Sequence, residues 1–140
     1  MIKKKSLKFS TKGNCDIINI SDDIADALSS SGLRDGTVTV FCVGSTGGIM
    51  TCEYEPGLAA DIKDFFQKII PQNKSYKHDE TWGDANGHSH LRASLLGSSV
   101  SVPFIDKKLV LGTWQQVVFI DFDNRPRSRE VILQFIGEPR

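Results

Sequence analysis

The sequence predicts an α+β fold, in which residues 1–140 form a single domain and two to three helices cover an antiparallel β-sandwich or barrel-like sheet. A length of 140 residues suits one compact domain. Two stretches in the first half repeat apolar residues at helical spacing, whereas the chain after residue 98 consists of short apolar segments. The separators between those segments are too short for the crossovers of parallel strands, which favours antiparallel pairing.

The chain begins with two predicted strands and a helix. The lysine-rich start, MIKKKSLKFST, is typical of an edge strand, because lysines discourage pairing with other chains. CDIINI predicts a second short strand. Ser21 is a good N-cap residue, and two aspartates follow it that suit the positive end of a helix. We therefore expect a helix near residues 21–31, closed by Gly32.

A strand pair and a second helix are expected next. GTVTVFCV (36–43) is rich in β-branched and aromatic residues, which indicates a central strand, and GIMTCEYE (48–55) is predicted to pair with it across the turn GSTGG. Pro56 and Pro71 then bracket a helix. The apolar residues that repeat along it at helical spacing are Leu58, Ile62, Phe65, Phe66 and Ile69.

The C-terminal third reads as strands. Four apolar segments, SSVSVPF, KLVLGTW, QQVVFIDF and REVILQFIG, are separated by the turn-like sequences IDK and DNRP. They complete the predicted antiparallel sheet.

Charge and composition exclude several classes of function. Seventeen basic and seventeen acidic residues cancel, so we expect neither nucleic acid nor an anionic membrane as a partner. The longest apolar runs, such as VVFI, are far below the roughly 20 residues that cross a bilayer, and the N-terminus lacks a signal-like segment. A soluble, cytoplasmic protein is expected. Cys15, Cys42 and Cys52 show no CxxC spacing, which favours reduced structural thiols.

All three histidines lie within HDETWGDANGHSH, residues 78–90, beside several carboxylates. These residue types suit a metal site or acid–base chemistry near neutral pH. A helix over NGHSHLRASLLG would place His88 and His90 about 200° apart, so that they cannot bind one ion together. An extended backbone would let them converge. The helix would also put His88 and Arg92 on one face near its N-terminus, which favours phosphate, and a surface role for the histidines is the remaining alternative.

Two further stretches have polar side chains that can bind a ligand. Ser45 and Thr46 lie in GSTGG, where backbone N–H groups can approach a ligand or simply form a hairpin turn. DNRPRSRE alternates Arg125, Arg127 and Arg129, which point to one side of an extended segment and can hold phosphate or face solvent.

LGTWQ and TCEYE contribute the last candidates. Trp114 and Gln115 fall inside a predicted apolar strand pair, where the indole is either core or a platform for a ligand. Glu53 lies in a β-rich run, and a carboxylate buried there needs a partner, which the histidines can supply.

These segments together resemble the YjbQ family, whose members are often labelled secondary thiamine-phosphate synthases. The resemblance is carried by VGSTGGIMTCEYEPGLAADI, YKHDETWGDANGHSHLRASLLGSSVSVPF, KLVLGTWQQVVFIDFDNRPRSREV and the terminal IGE. It implies a small antiparallel α+β fold, usually a homotrimer or a related homo-oligomer. It also implies an enzyme that joins the pyrimidine of hydroxymethylpyrimidine diphosphate to the nitrogen of thiazole phosphate and releases pyrophosphate.

The resemblance also implies a site. The family's H…NxHxH pattern matches His78, Asn86, His88 and His90, and its acidic residue matches Glu53. Many bacterial members have a histidine where this chain has Gly44 and an asparagine where it has Cys52.

Roles follow from residue types together with this analogy. The expected catalytic residues are Glu53, His78 and His90, and the expected metal ligands are His78, His88 and His90, for zinc or magnesium, with no organic cofactor. The expected substrate-binding residues are Ser45, Thr46, Asn86, Arg92, Trp114, Gln115 and Arg127. The alternatives are another metal-dependent enzyme for a small phosphorylated metabolite, and a non-catalytic protein that binds such a metabolite.

Overall fold

The computed structural model describes residues Met1–Arg140 as eight strands and four helices. The strands are β1 (Ile2–Thr11), β2 (Asp16–Asn19), β3 (Asp35–Cys42), β4 (Gly47–Cys52), β5 (Ser99–Ile105), β6 (Lys108–Leu109), β7 (Gln116–Asp121) and β8 (Arg127–Glu138). The helices are α1 (Ser21–Ser31), α2 (Pro56–Ile69), α3 (Lys77–Trp82) and α4 (Gly87–Leu96). The predicted α+β class is confirmed, with the short α3 as an additional helix.

The strands form two antiparallel sheets, ordered β1-β8-β3-β5-β6 and β2-β7-β4. As predicted, the lysine-rich β1 is an edge strand, and it pairs with β8 over its whole length. Side chains from both sheets and from α1 share one core, which includes Val40, Phe119 and Leu133. The two sheets and α1 therefore pack around one hydrophobic core.

The strand β7 is buried on both faces. Val117 and Phe119 point into the core between the sheets, whereas Val118 and Ile120 pack with Phe66 of α2 and other residues in a second apolar cluster. Alternate residues of a strand face opposite sides, so helices α2 and α4 cover the outer face of the three-stranded sheet. The end of β7 is therefore buried as well, and charged residues there need partners.

Two helix starts differ from each other in how they are capped. α2 begins at Pro56, and the Glu55 carboxylate accepts hydrogen bonds from the N–H groups of Gly57 and Leu58, both at 2.7 Å. In α1, the N-cap is Ile20 rather than Ser21. The Ser21 hydroxyl instead accepts a hydrogen bond from the Val117 N–H at 2.8 Å, which ties α1 to β7.

The predicted pairing of β3 with β4 is wrong. β3 pairs with β5 and β8, and β4 pairs with β7, so GSTGG carries the chain from one sheet to the other. Gly47 allows this passage, because a Cβ there would lie 2.5 Å from the Phe119 ring.

KLVLGTW is also not a strand beyond Lys108–Leu109. Its second half forms a turn in which the Gln115 N–H donates to the Gly112 carbonyl at 3.0 Å.

Candidate functional site

The rings of His78 and His90 lie against each other where α3 meets α4. Their centroids are 4.3 Å apart, with planes inclined by 38°. Nδ1 of His78 lies 4.0 Å from Oδ1 of Asp84 and has no hydrogen-bond partner. Gly87 permits this close approach of the helices, because a Cβ there would lie 2.7 Å from Cβ of Tyr76. The sequence stretch singled out for its histidines thus brings two of the three together.

Asp79 fixes the relative position of these two helices. Its carboxylate accepts hydrogen bonds from the N–H groups of Tyr76 at 3.0 Å and Gly87 at 2.9 Å. These two hydrogen bonds hold the pKa of Asp79 below its ordinary value. An ionised Asp79 therefore joins the start of α3 to the start of α4.

The histidine pair opens onto a groove of about 300 Å³. Its other lining residues are Tyr76, Lys77, Gly87, Leu91 and Ser94. Ser94 also lines an adjoining cleft of about 240 Å³, bounded on its far side by the GSTGG loop through Gly44, Ser45 and Gly47. The two cavities are therefore neighbours along one face of α4.

Burial keeps the imidazoles of α4 in their neutral form near pH 7. It lowers the pKa of His90, and the charge of a protonated His78 lowers it further, against the smaller opposing effects of Asp123 and Asp84. Burial also lowers the pKa of His88, with the Arg92 guanidinium as the next cause. Neutral rings can donate and accept hydrogen bonds at the same time.

His88 does not join the pair. It is 2% exposed, and its Nε2 lies 3.3 Å from the hydroxyl of Ser89. Because the segment is helical from Gly87 onward, His88 and His90 point to different sides of α4. No group of three or more His, Cys, Asp or Glu side chains is placed to hold a metal ion. The expected ligand set of His78, His88 and His90 is therefore not assembled within one chain.

Arg92 belongs to the interior rather than to a phosphate site. It is 4% exposed, and its guanidinium donates to the Ile70 carbonyl at 2.9 Å, to Gln67 Oε1 at 3.0 Å and to Cys15 Sγ at 3.4 Å. Burial raises the pKa of the Cys15 thiol despite the neighbouring charge, so the thiol is neutral. Arg92 joins α4 to α2, and the predicted phosphate contact with His88 and Arg92 is not formed.

A buried charged cluster that was not predicted lies at the end of β7. Asp121 is 0% and Asp123 is 1% exposed. Arg129 donates to both oxygens of Asp121, at 2.6 and 2.7 Å, and Arg127 Nε donates to Asp123 at 2.7 Å. Arg127 and Arg129 alternate along β8, as the sequence indicated. Their guanidinium groups neutralise these two carboxylates and were expected to hold phosphate or face solvent. The motif DFD, at the end of a strand buried on both faces, was the available signal.

Thr46 and Asn86 are part of this cluster. The Thr46 hydroxyl donates to Asp123 at 3.1 Å and accepts from Arg129 at 2.7 Å. Asn86 Nδ2 donates to Asp123 at 3.3 Å. Thr46 is buried, whereas its neighbour Ser45 is exposed on the wall of the small cleft.

The remaining candidates lie on the surface. Glu53 is exposed, takes part in no hydrogen bond or ion pair, and does not line the groove. Trp114 is 74% exposed on a turn, because the strand expected to bury it ends at Leu109. Gln115 stabilises that turn, since it accepts from the Gly112 N–H at 3.0 Å and donates to Thr51 at 3.1 Å. The expected contact between Glu53 and the histidines is not formed.

None of the four helices has both the length and the apolar character that a bilayer crossing requires.

Comparisons with known proteins agree on one family. The model of the family described as UPF0047 protein YjbQ-like matches residues 5–138. A UPF0047 protein of Archaeoglobus fulgidus is 42% identical over 91% of this chain and 97% of its own length, and one of Methanothermobacter thermautotrophicus is 37% identical over 96% and 92%. A crystal structure of a YbjQ-like protein of unknown function from Sulfolobus solfataricus aligns with a TM-score of 0.93 at 29% identity, covering 99% of both chains. The chain therefore belongs to the YjbQ-like UPF0047 family.

Proposed function

We propose that this protein is an enzyme for small phosphorylated substrates, and that it forms thiamine phosphate from hydroxymethylpyrimidine diphosphate and thiazole phosphate. The observation that carries the proposal is the His78–His90 pair on an open groove that adjoins a second cleft through Ser94. A reaction that joins two substrates needs two neighbouring subsites. The reaction itself is taken from the family resemblance, which is an analogy.

The reaction needs help mainly at the leaving group. The bond between the pyrimidine methylene carbon and the diphosphate oxygen breaks, and both electrons leave with the diphosphate. The lone pair of the thiazole nitrogen forms the new carbon–nitrogen bond, so no proton is gained or lost at either centre. Positive charge grows on the methylene carbon while negative charge grows on the departing oxygen, and groups placed for these charges lower the barrier.

The residues of the groove suit these two charges. Imidazole N–H groups of His78 and His90 donate hydrogen bonds to the departing diphosphate, and the ammonium group of Lys77 adds positive charge beside them. Asp84 is exposed and does not line the groove, but its Oδ1 lies 4.0 Å from Nδ1 of His78, so we assign its carboxylate, rather than that of Glu53, to the developing cation. Arg92 takes no part in the proposal, because its donors are used inside the fold.

A metal held by the protein has little support in these donors. Two imidazoles and the more distant Asp84 do not make a set of three ligands within one chain. We therefore assign a divalent ion to the substrate, as a magnesium complex of the diphosphate. No step of the reaction is assigned to a zinc ion.

We also propose that the protein assembles as a homo-oligomer, with the homotrimer implied by the resemblance as the first form to test. Apolar side chains are exposed on the outer face of the five-stranded sheet, where Phe41 lies opposite Ile132, and Ile136 lies between Ile2 and Thr37. Large apolar side chains exposed on a sheet face favour contact with another protein surface.

The test is product formation by purified protein. Both precursors and magnesium are supplied, and thiamine phosphate is measured by mass spectrometry for wild type, His90→Ala and Glu80→Ala. We expect product with wild type and with Glu80→Ala, an exposed α3 residue outside the groove, and a loss of about 10²-fold with His90→Ala. Binding of both precursors without any product would contradict the enzyme and leave a metabolite-binding protein.

A further inference from the structure

Asp123 connects four separate segments of the chain, one of which is the start of α4 beside the groove. It is 1% exposed, and each of its oxygens accepts two hydrogen bonds. Oδ1 accepts from the Asn124 N–H at 2.8 Å and from Asn86 Nδ2 at 3.3 Å, and Oδ2 accepts from Arg127 at 2.7 Å and Thr46 at 3.1 Å. These donors belong to the turn after β7, the start of α4, β8 and the GSTGG loop. One side chain thus contacts four parts of the chain.

The link through Asn86 continues to the histidine pair. The amide group of Asn86 must turn its NH₂ toward the Asp123 carboxylate, and its Oδ1 is then left buried without a partner. The backbone carbonyl of the same residue accepts hydrogen bonds from the N–H groups of Ser89 at 2.9 Å and His90 at 3.3 Å. Asp123, Asn86 and His90 therefore form an unbroken hydrogen-bonded chain.

We infer that Asp123 is a positioning residue, which acts through Asn86 to hold the first turn of α4 so that His90 faces His78. The kinetic part of this inference rests on the proposed function, whereas the structural part does not.

Two carboxylates then hold the start of α4, one from α3 and one from the turn after β7. Asp79 fixes it to α3 through the Gly87 N–H, at 2.9 Å, and Asp123 fixes it to the sheet through Asn86. The bond to Thr46 adds the loop that bounds the small cleft. Loss of Asp123 therefore changes the orientation of the His90 ring, which contacts the leaving group, and not only the stability of the fold.

The negative charge of Asp123 is suited to this role. Burial alone would raise the pKa of its carboxyl group, but hydrogen bonds from Asn124, Arg127 and Asn86 lower it below its ordinary value. A carboxylate that stays ionised accepts all four hydrogen bonds, whereas a neutral amide in its place cannot accept at both ends.

The structural test uses ring-proton contacts in the free protein. The nuclear Overhauser effect between the imidazole protons of His78 and His90 is measured for wild type, Asp123→Asn, Asn86→Ala and the double variant. We expect each single variant to lose at least half of the intensity and the double variant to lose no more than the stronger single one. Wild-type intensity in either single variant, or additive losses, would overturn the inference.

Controls separate positioning from a general loosening of the network. Asp121→Asn removes the neighbouring buried carboxylate, and Thr46→Val removes one donor to Asp123, yet both leave the Asn86 link in place. We expect the contact between the rings to persist in the folded controls; its loss in both would mean that the network is merely structural. Should Asp123→Asn not fold, Asn86→Ala decides, because it removes a single hydrogen bond.

The kinetic test follows thiamine phosphate formation by the same variants. We expect kcat to fall by about 10²-fold for Asp123→Asn with KM nearly unchanged, since misplacement of a reacting group costs rate rather than binding. An unchanged kcat in a folded Asp123→Asn variant would overturn the inference. Absence of product with wild type would instead contradict the proposed function, and the ring contact would still decide the role of Asp123.

Discussion

The imidazole rings of His78 and His90 lie 4.3 Å apart, centroid to centroid, on two different helices. Burial lowers the pKa of His90, and at this distance a positive charge on His78 lowers it further. His88 is buried on the other side of α4 with a lowered pKa of its own. The pair is therefore the part of the histidine cluster that a substrate can reach.

Acid should destabilise the fold because of the two histidines of α4. The native pKa values of His88 and His90 lie below the ordinary 6.5, so the unfolded chain binds more protons, and stability falls as the pH drops below about 6.5. We expect the melting temperature of wild type to fall between about pH 7.5 and about pH 5. The fall should be smaller for His90→Ala, which lacks one of the two groups. An equal fall in both proteins would show that the lowered pKa of His90 does not contribute to the loss of stability in acid.

The pair of Arg129 and Asp121 should be essential for stability. Arg129→Ala leaves a carboxylate uncompensated in the interior, which costs about 3–5 kcal/mol of the free energy of unfolding. Arg34→Ala is the matched control, because its ion pairs with Asp35 and Asp106 are exposed and are worth about 0–1 kcal/mol. Urea denaturation measures both. Similar losses in the two variants would show that the buried ion pair contributes no more to stability than the exposed ion pairs do.

Arg92 should affect stability and not anion binding. Arg92→Met removes the hydrogen bonds to Ile70 and Gln67 and leaves the Ile70 carbonyl without its partner, at a cost of about 1–3 kcal/mol, whereas the exposed Gln67 still accepts from the Gln72 N–H at 3.1 Å. The affinity for pyrophosphate, measured by calorimetry on the folded variant, should stay unchanged. A weaker affinity at undiminished stability would restore Arg92 as a phosphate ligand.

The exposed Trp114 should be replaceable without loss of stability. We expect Trp114→Ala to change the free energy of unfolding by about 0.5 kcal/mol or less, as for other surface positions. Phe119→Ala, in the core between the sheets, should cost about 3–5 kcal/mol. A large loss for Trp114→Ala at high protein concentration only would place the indole in a contact between subunits.

Local patterns in the sequence predicted the positions of helices and strands better than they predicted which strands pair. The helix near residues 21–31 and the edge strand β1 were predictable, because helical spacing, a closing glycine and a run of lysines are local signals. The pairing of β4 was not, because a hairpin turn and a crossing between sheets both use small and hydroxyl-bearing residues. Gly47 is needed for contact with Phe119, and nothing in the local sequence shows that contact.

The same limit applies to the site. The helix over residues 87–96 was one of two readings, and it correctly separates His88 from His90. In a helix, a spacing of four residues places Arg92 near His88. The spacing does not tell whether that face of the helix is turned to solvent or to α2. Asp121 and Asp123 could have been found, since two carboxylates at the end of an apolar strand must be paired.

The most direct test of the central claim is to locate the anion site by NMR. Pyrophosphate is titrated into ¹⁵N-labelled protein while the backbone amide signals are followed. We expect the largest shifts at Lys77 and His90, around the histidine groove, and none on the lysine-rich strand, where Lys3 and Lys5 line a separate cavity against α1. Shifts confined to that strand, with the amides of Lys77 and His90 unmoved, would contradict the assignment of the histidine groove as the site.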